Sequence, residues 1–116
     1  MPELTFIQYE NRRHGVRALN DQLRSTLQGC KTVVTANLDA LGPVFLRGAI
    51  DKVRAFDFPG PPAVDCNHDY GAFDHLGERV VWRFAHYDRD MHYGSEDPTD
   101  RAVTVSVLTI MLVCDD

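Results

Sequence analysis

Tyr70-Gly71-Ala72-Phe73-Asp74-His75-Leu76-Gly77-Glu78-Arg79-Val80-Val81-Trp82-Arg83-Phe84 is the stretch that organises the chain. Two strand-like runs, residues 70–75 and 78–87, flank a two-residue link that contains glycine, the composition of a β-hairpin. If His75 faces Glu78, then Phe73 faces Val80, Gly71 faces Trp82 and Asp69 faces Phe84. Side chains alternate along a strand, so these eight share one side of the pleat. The other side carries Asp74 opposite Arg79, Ala72 opposite Val81 and Tyr70 opposite Arg83. One face is aromatic and apolar, the other charge-paired, and a one-residue slip would scramble both. Gly71 leaves room for the indole of Trp82, which is the expected anchor of the core.

A closing strand is expected over residues 102–113. Val103, Val105 and Val107 alternate with Thr104 and Ser106, which suits a half-exposed strand. From Val107 onward the run Leu108, Ile110, Met111, Leu112, Val113 suits a strand covered on both faces. Helices supply one cover. The second is expected to be Leu4 to Tyr9 or another copy of the chain.

Upstream, Val16, Leu19, Leu23 and Leu27 recur at spacings of three and four, predicting a helix from Asn11, as its N-cap, to a terminator at Gly29. Arg13, Arg17 and Arg24 lie beside that apolar stripe, as a solvated flank or a grip for an acidic surface. Cys30 to Ala36 reads as a short strand and Asn37 to Gly42 as a turn. Pro43 fits the first position of a second helix, with Phe45, Leu46, Ala49, Ile50, Val53 and Phe56 on one side. Asp57 to Asp65, rich in proline, is a stiff connector. The expected fold is α+β: two helices packed on one face of an antiparallel sheet of three or four strands. It forms a single domain over 1–116, with a helical half at 11–56 and the sheet at 67–113. Residues 1–10 read as an edge strand or a mobile segment.

Composition restricts the function classes. An apolar share of 44% and a charged share of 25% are those of an ordinary globular protein. No apolar run reaches membrane-spanning length and the N-terminus lacks a secretory pattern, so a cytoplasmic location without membrane contact is expected. Cys30, Cys66 and Cys114 are odd in number and lack CxxC spacing, which fits reduced thiols. Residues 1–56 hold eight Lys/Arg against five Asp/Glu, net +3; residues 57–116 hold four against twelve, net −8. An acidic second half argues against direct nucleic-acid binding, which needs clustered cations. It suits the basic surface of a host protein or protein complex.

No catalytic motif stands complete. In the hairpin register Asp69 lies diagonally across from His86, while His68 should look away, so a structural Asp–His hydrogen bond is the expectation. The cysteines and histidines are too scattered for paired zinc ligands, so neither metal nor other cofactor is expected. Asp88, Asp90, Glu96, Asp97 and Asp100 put five carboxylates in one loop, but without the spacing of a calcium loop.

Trp82, Tyr87-Asp88, Gly94-Ser95 with Asp97-Pro98, Thr104 and Leu108-Thr109-Ile110-Met111-Leu112 resemble the family catalogued as domain of unknown function 3768. Ala18-Leu19-Asn20-Asp21 and Leu41-Gly42-Pro43 are similar to it as well, so the likeness runs over roughly residues 12 to 113. The resemblance implies a small protein of proteobacterial genomes, plasmids and mobile elements, and it brings no established activity with it. The family pattern has Asn-Asp-Pro-x-Gly-Glu before His-Asp-Phe-Gly, where this chain has residues 62–67. It has Asp-Tyr-Tyr-Asp where this chain has Ala85-His86-Tyr87-Asp88, and it ends in Glu-Tyr where this chain has Asp115-Asp116. Asn67 and His86 therefore replace two acids at positions that the hairpin register makes neighbours. Loss of that acidic pair with retention of structural residues favours binding over catalysis.

The leading expectation is a non-enzymatic binding protein of a bacterial mobile element. It would mask a host defence complex, in the manner of anti-CRISPR or anti-restriction inhibitors, with Asp88, Asp90, Glu96, Asp97 and Asp100 as contacts. The alternative is a metal-dependent hydrolase or nuclease-like enzyme using His68, Asp69 and His86. A homodimer through the C-terminal strand is a third arrangement.

Overall fold

Helix α1 (Phe6–Thr26) is followed by strand β1 (Lys31–Val34), a one-turn helix α2 (Ala36–Asp39) and helix α3 (Pro43–Arg54). Strands β2 (Tyr70–His75), β3 (Glu78–Tyr87) and β4 (Val105–Leu112) complete the sheet, and a 3-10 turn, Val113–Asp115, ends the chain. This computed structural model describes residues 6–58 and 67–116, with the backbone alone for 6–14. The proline-rich connector and Cys66 fall largely outside the described residues, as do Met1 to Thr5.

The hairpin has the expected register at every pair from His75 opposite Glu78 to Tyr70 opposite Arg83. Leu76 and Gly77 both take positive φ, 49° and 86°, which matches the twist of a two-residue β-hairpin turn. The sheet order is β1-β4-β3-β2. It is mixed rather than antiparallel, because β1 runs parallel to β4, Lys31 beside Val107 through Val34 beside Ile110. Parallel neighbours need a long crossover, and here α2, α3 and the hairpin supply it. β4 thereby lies inside the sheet with both edges paired, so a homodimer through this strand could use only its face.

Among the described residues the α-helices number three. Asn37 to Gly42, expected as a turn, begins inside α2, which fully buried Leu38 anchors. Helix α1 starts at Phe6, five residues before the expected cap, so Asn11 lies within it and Phe6 to Tyr9 are helical rather than an edge strand. No glycine or proline interrupts residues 6–14, and an established helix extends at little cost. It ends with Leu27 N–H donating to Leu23 O at 2.8 Å and positive φ at Leu27 and Gly29. Gly42, at φ 99°, leads into Pro43 at the start of α3.

One core lies between the helices and the sheet. Leu23, Leu38, Phe45, Ala49 and Val53 meet Val80, Trp82, Phe84, Leu108, Ile110 and Leu112. Trp82 is fully buried. On the opposite face Val81 and Met111, paired across β3 and β4, are buried too. Arg83 lies over Met111, Nη2 to Sδ 4.0 Å, and is ion-paired with Asp116, so the chain's own C-terminal turn helps cover that face. Among the described residues no helix is long and apolar enough to cross a membrane.

Candidate functional site: an acidic groove moored by a buried polar chain

The loop between β3 and β4 is built by its own carboxylates. Asp88 Oδ1 accepts from the backbone N–H of His92 at 3.1 Å, and Asp88 N–H donates to Tyr93 O at 2.8 Å. Asp97 Oδ1 accepts from the N–H and hydroxyl of Thr99, at 3.1 and 2.6 Å. Asp100 Oδ1 accepts from Ala102 N–H at 3.1 Å. These are turns of the kind that Asp favours beside Pro and Ser. Asp90 and Glu96 hold no hydrogen-bond partner among the described residues and are exposed.

Folded in this way, the loop encloses a groove of about 580 Å³ lined by Asp88, Glu96, Asp97 and Asp100 with Arg89, Tyr93 and Val103. Four of the five carboxylates singled out in the sequence meet there. Asp90 sits on the neighbouring turn instead. Tyr93 is 76% exposed. An aromatic ring standing free beside several carboxylates can stack on a guanidinium and offer it paired oxygens.

Behind the groove runs a chain of buried polar side chains. Thr104 and Ser106 continue the inward phase of Leu108, Ile110 and Leu112, and both are buried. The valines that alternate with them lie on the other face. Thr104 hydroxyl donates to Asp97 O at 3.0 Å and sits 2.6 Å from Ser95 Oγ. Arg101 reaches inward, Nη1 donating to Pro98 O at 3.0 Å and Ser106 Oγ at 2.8 Å, and Nη2 to Gly29 O at 2.7 Å.

His86 joins this chain to α1. Asn20, fully buried, donates through Nδ2 to Asn67 O at 3.0 Å, so its Oδ1 faces His86 Nε2 at 2.7 Å. That places the proton on Nε2 and makes Nδ1 the acceptor of the Ser106 hydroxyl, 2.6 Å away. Positions 67 and 86 are thus linked, as the hairpin register implied, but through Asn20. Burial, foremost, and the nearby Arg101 charge lower the His86 pKa from its usual value, against a smaller opposing pull from Asp69.

The expected Asp–His hydrogen bond exists between other partners. His68 has φ 56°, which breaks the strand alternation and turns its ring towards the helices rather than away. Its Nδ1 lies 2.8 Å from Asp21 Oδ1, and it stacks on Phe58 with ring centroids 3.8 Å apart. Arg24, placed by its spacing on a solvated flank, is buried; it donates to Asp21 Oδ1 and Phe56 O and lies over Phe58 and Trp82. Asp21, Arg24, Phe56, Phe58 and His68 border a cavity of about 410 Å³. His68, Asp69 and His86 therefore do not share one site: His68 belongs to this cavity, and His86 is saturated by Ser106 and Asn20. Among the described residues no group of three or more His, Cys, Asp or Glu is placed to hold a metal ion. Cys30 is half-buried, and burial raises its thiol pKa.

Asn20, Asp21, Arg101 and Ser106 carry these sites together with Arg24, and of these only Arg24 stood out in the sequence as a possible contact residue. Thr104 and Ser106 had a visible signal, their period-two phase with the apolar residues that follow. Asn20 and Arg24 stand four apart, next to the apolar stripe of α1.

Neither a curated protein nor a solved structure matches this chain. One family does, over residues 34–115, most of the chain. The chain belongs to the family described as Protein of unknown function (DUF3768).

Proposed function

We propose that this protein is a non-enzymatic binding protein that engages a basic surface of a host protein or complex through the acidic groove. The observation that carries this reading is the convergence of Asp88, Glu96, Asp97 and Asp100 around the exposed ring of Tyr93. Opposed charge steers encounter, and tyrosine is a frequent energetic anchor at interfaces. The finer role is to mask a bacterial defence complex on behalf of a mobile element, as an anti-CRISPR or anti-restriction inhibitor acting in the cytoplasm. That role draws on the chain's small size and acidic second half together with its family resemblance.

The test is capture of partners from bacterial host lysate with the native chain and with Asp90→Lys/Glu96→Lys. Those two carboxylates make none of the hydrogen bonds that shape the loop, so the variant should fold. A basic partner retained by the native chain, released by moderate salt and lost to the variant is the expected result. Equal retention by both removes the groove from the binding reading.

One observation favours the alternative, a hydrolase or nuclease-like enzyme: the Asp21 carboxylate holds His68 Nδ1 in the manner of an acid–base pair. Against it, His68 Nε2 is enclosed and has no hydrogen-bond partner among the described residues, and both nitrogens of His86 are occupied. Hydrolysis that depends on added divalent metal and disappears in His68→Ala would favour the enzyme.

A further inference from the structure

The chain of side chains behind the groove has one ionisable member besides Arg101, the imidazole of His86. From the loop inward it runs Arg101, Ser106, His86, Asn20 and the Asn67 carbonyl, with successive contacts of 2.8, 2.6, 2.7 and 3.0 Å. It ties the β3–β4 loop to β4, β3, α1 and the lead into β2. We propose that His86 is a proton-operated latch: uncharged, it holds the 97–103 segment against the sheet, and on protonation it lets that segment and its side of the acidic groove come away. This deepens the binding reading by giving the same groove a regulator, and it rests on that reading for its biological purpose.

The hydrogen-bond directions are the reason. Asn20 is fixed by Asn67 O and needs a donor at His86 Nε2. Ser106 Oγ accepts from Arg101 and gives its own proton to Nδ1. A second proton on the ring turns Nδ1 into a donor aimed at that oxygen. Ser106 must then accept from two cations and turn its hydroxyl proton away, inside a site where it is only 2% exposed. A buried donor without a partner is costly. The simplest relief is withdrawal of Arg101, and Pro98 and the end of the loop leave with it.

The groups facing the ring can be named from each side. Arg101, from the loop, opposes the charge; Asp69, ahead of β2, favours it. Helix α1 presents uncharged Asn20, β4 presents uncharged Ser106, and Phe84 of β3 lies parallel to the ring at 5.8 Å. The far end of the loop is held differently, by Ser95 N–H to His86 O and the Tyr87–Gly94 bridge. Opening is therefore confined to the Asp97 to Val103 side.

Hydrogen exchange of the full chain from pH 7.5 to 5, corrected for intrinsic rates, tests the latch with no partner present. Protection in 97–103 should fall by up to about tenfold per pH unit once the ring of the open loop protonates. The emission of Trp82 should stay constant over the same range. His86→Gln can still donate to Asn20 and accept from Ser106, so its loop should show a flat profile. Should that variant not fold, Asp69→Asn serves: it removes the carboxylate favouring protonation and must move the opening to lower pH. A flat profile in the native chain, simultaneous opening of loop and core, or an unmoved midpoint in Asp69→Asn overturns the latch. Because exchange is read without a partner, these results stand apart from whether the groove binds one.

Discussion

Gly71 stands opposite Trp82 across β2 and β3, and a Cβ at position 71 would lie 2.5 Å from the indole Nε1. The indole occupies the volume that any other residue would fill. It also meets Phe56, Phe58 and Phe84 edge-on, at centroid distances of 5.4, 5.9 and 6.0 Å. Gly71→Ala should cost about 1–3 kcal/mol through overpacking, and Trp82→Ala roughly 3–5 kcal/mol. Against a typical total of about 5–15 kcal/mol the second approaches unfolding. Urea denaturation measures both, and a Trp82→Ala variant melting within a few degrees of the native chain would show that the core is anchored elsewhere.

The hairpin turn is built with a strained residue. Leu76 is largely exposed and holds φ 49°, a conformation that costs a residue with a Cβ roughly 1–2 kcal/mol. Asparagine tolerates it better. Leu76→Asn should raise the melting temperature by a few degrees, on the order of 0.5–1 kcal/mol, and leave the register unchanged. Calorimetry gives the answer, and a lowered melting temperature would mean that Leu76 packs on something that outweighs its strain.

This turn was legible because everything that specifies it lies within a few residues. The apolar stripes of α1 and α3 were readable for the same reason. The parallel pairing of β1 with β4 was not, since Lys31 and Val107 belong to opposite halves of the chain and each strand looks the same whichever neighbour it takes. The acidic residues of the loop could be chosen from sequence, whereas their gathering around Tyr93 depends on turns that Asp88, Asp97 and Asp100 make themselves. The buried chain stayed hidden because Asn20, His86, Arg101 and Ser106 come from three elements and a loop. His68 escaped for a local reason: its positive φ departs from the alternation that the strand pattern assumes.

Gly48, inside α3, makes room for a ring from the sheet. A Cβ there would sit 2.7 Å from Cε1 of His75, whose Nε2 is 3.2 Å from Phe45 O. Alanine would gain roughly 0.8–1 kcal/mol of helix propensity, but the collision, about 1–3 kcal/mol, should win. Gly48→Ala alone is expected to destabilise. In Gly48→Ala/His75→Ala the collision is gone, so the pair should lose less than the sum of the single changes. Additive losses would show that the ring can swing aside at no cost.

Asp115 secures the C-terminal turn to the start of α2. Its carboxylate accepts from Asn37 Nδ2 at 2.6 Å, from Thr35 Oγ1 at 2.8 Å and from Leu112 N–H at 3.3 Å. These hydrogen bonds, Asn37 first and Thr35 next, hold its pKa below the usual 3.8, against slight desolvation. A carboxyl group with a lowered folded-state pKa stabilises the fold fully above its unfolded value. That contribution fades as pH falls from 3.8 through the lowered value, because the unfolded chain takes up the proton first. Asp115→Asn should therefore melt below the native chain at pH 6, with the gap between them closing as the pH drops from 4 towards 2. Urea melts at several pH values measure the gap; one that stays constant down to pH 2 would mean that the ionised carboxylate contributes nothing to holding the turn.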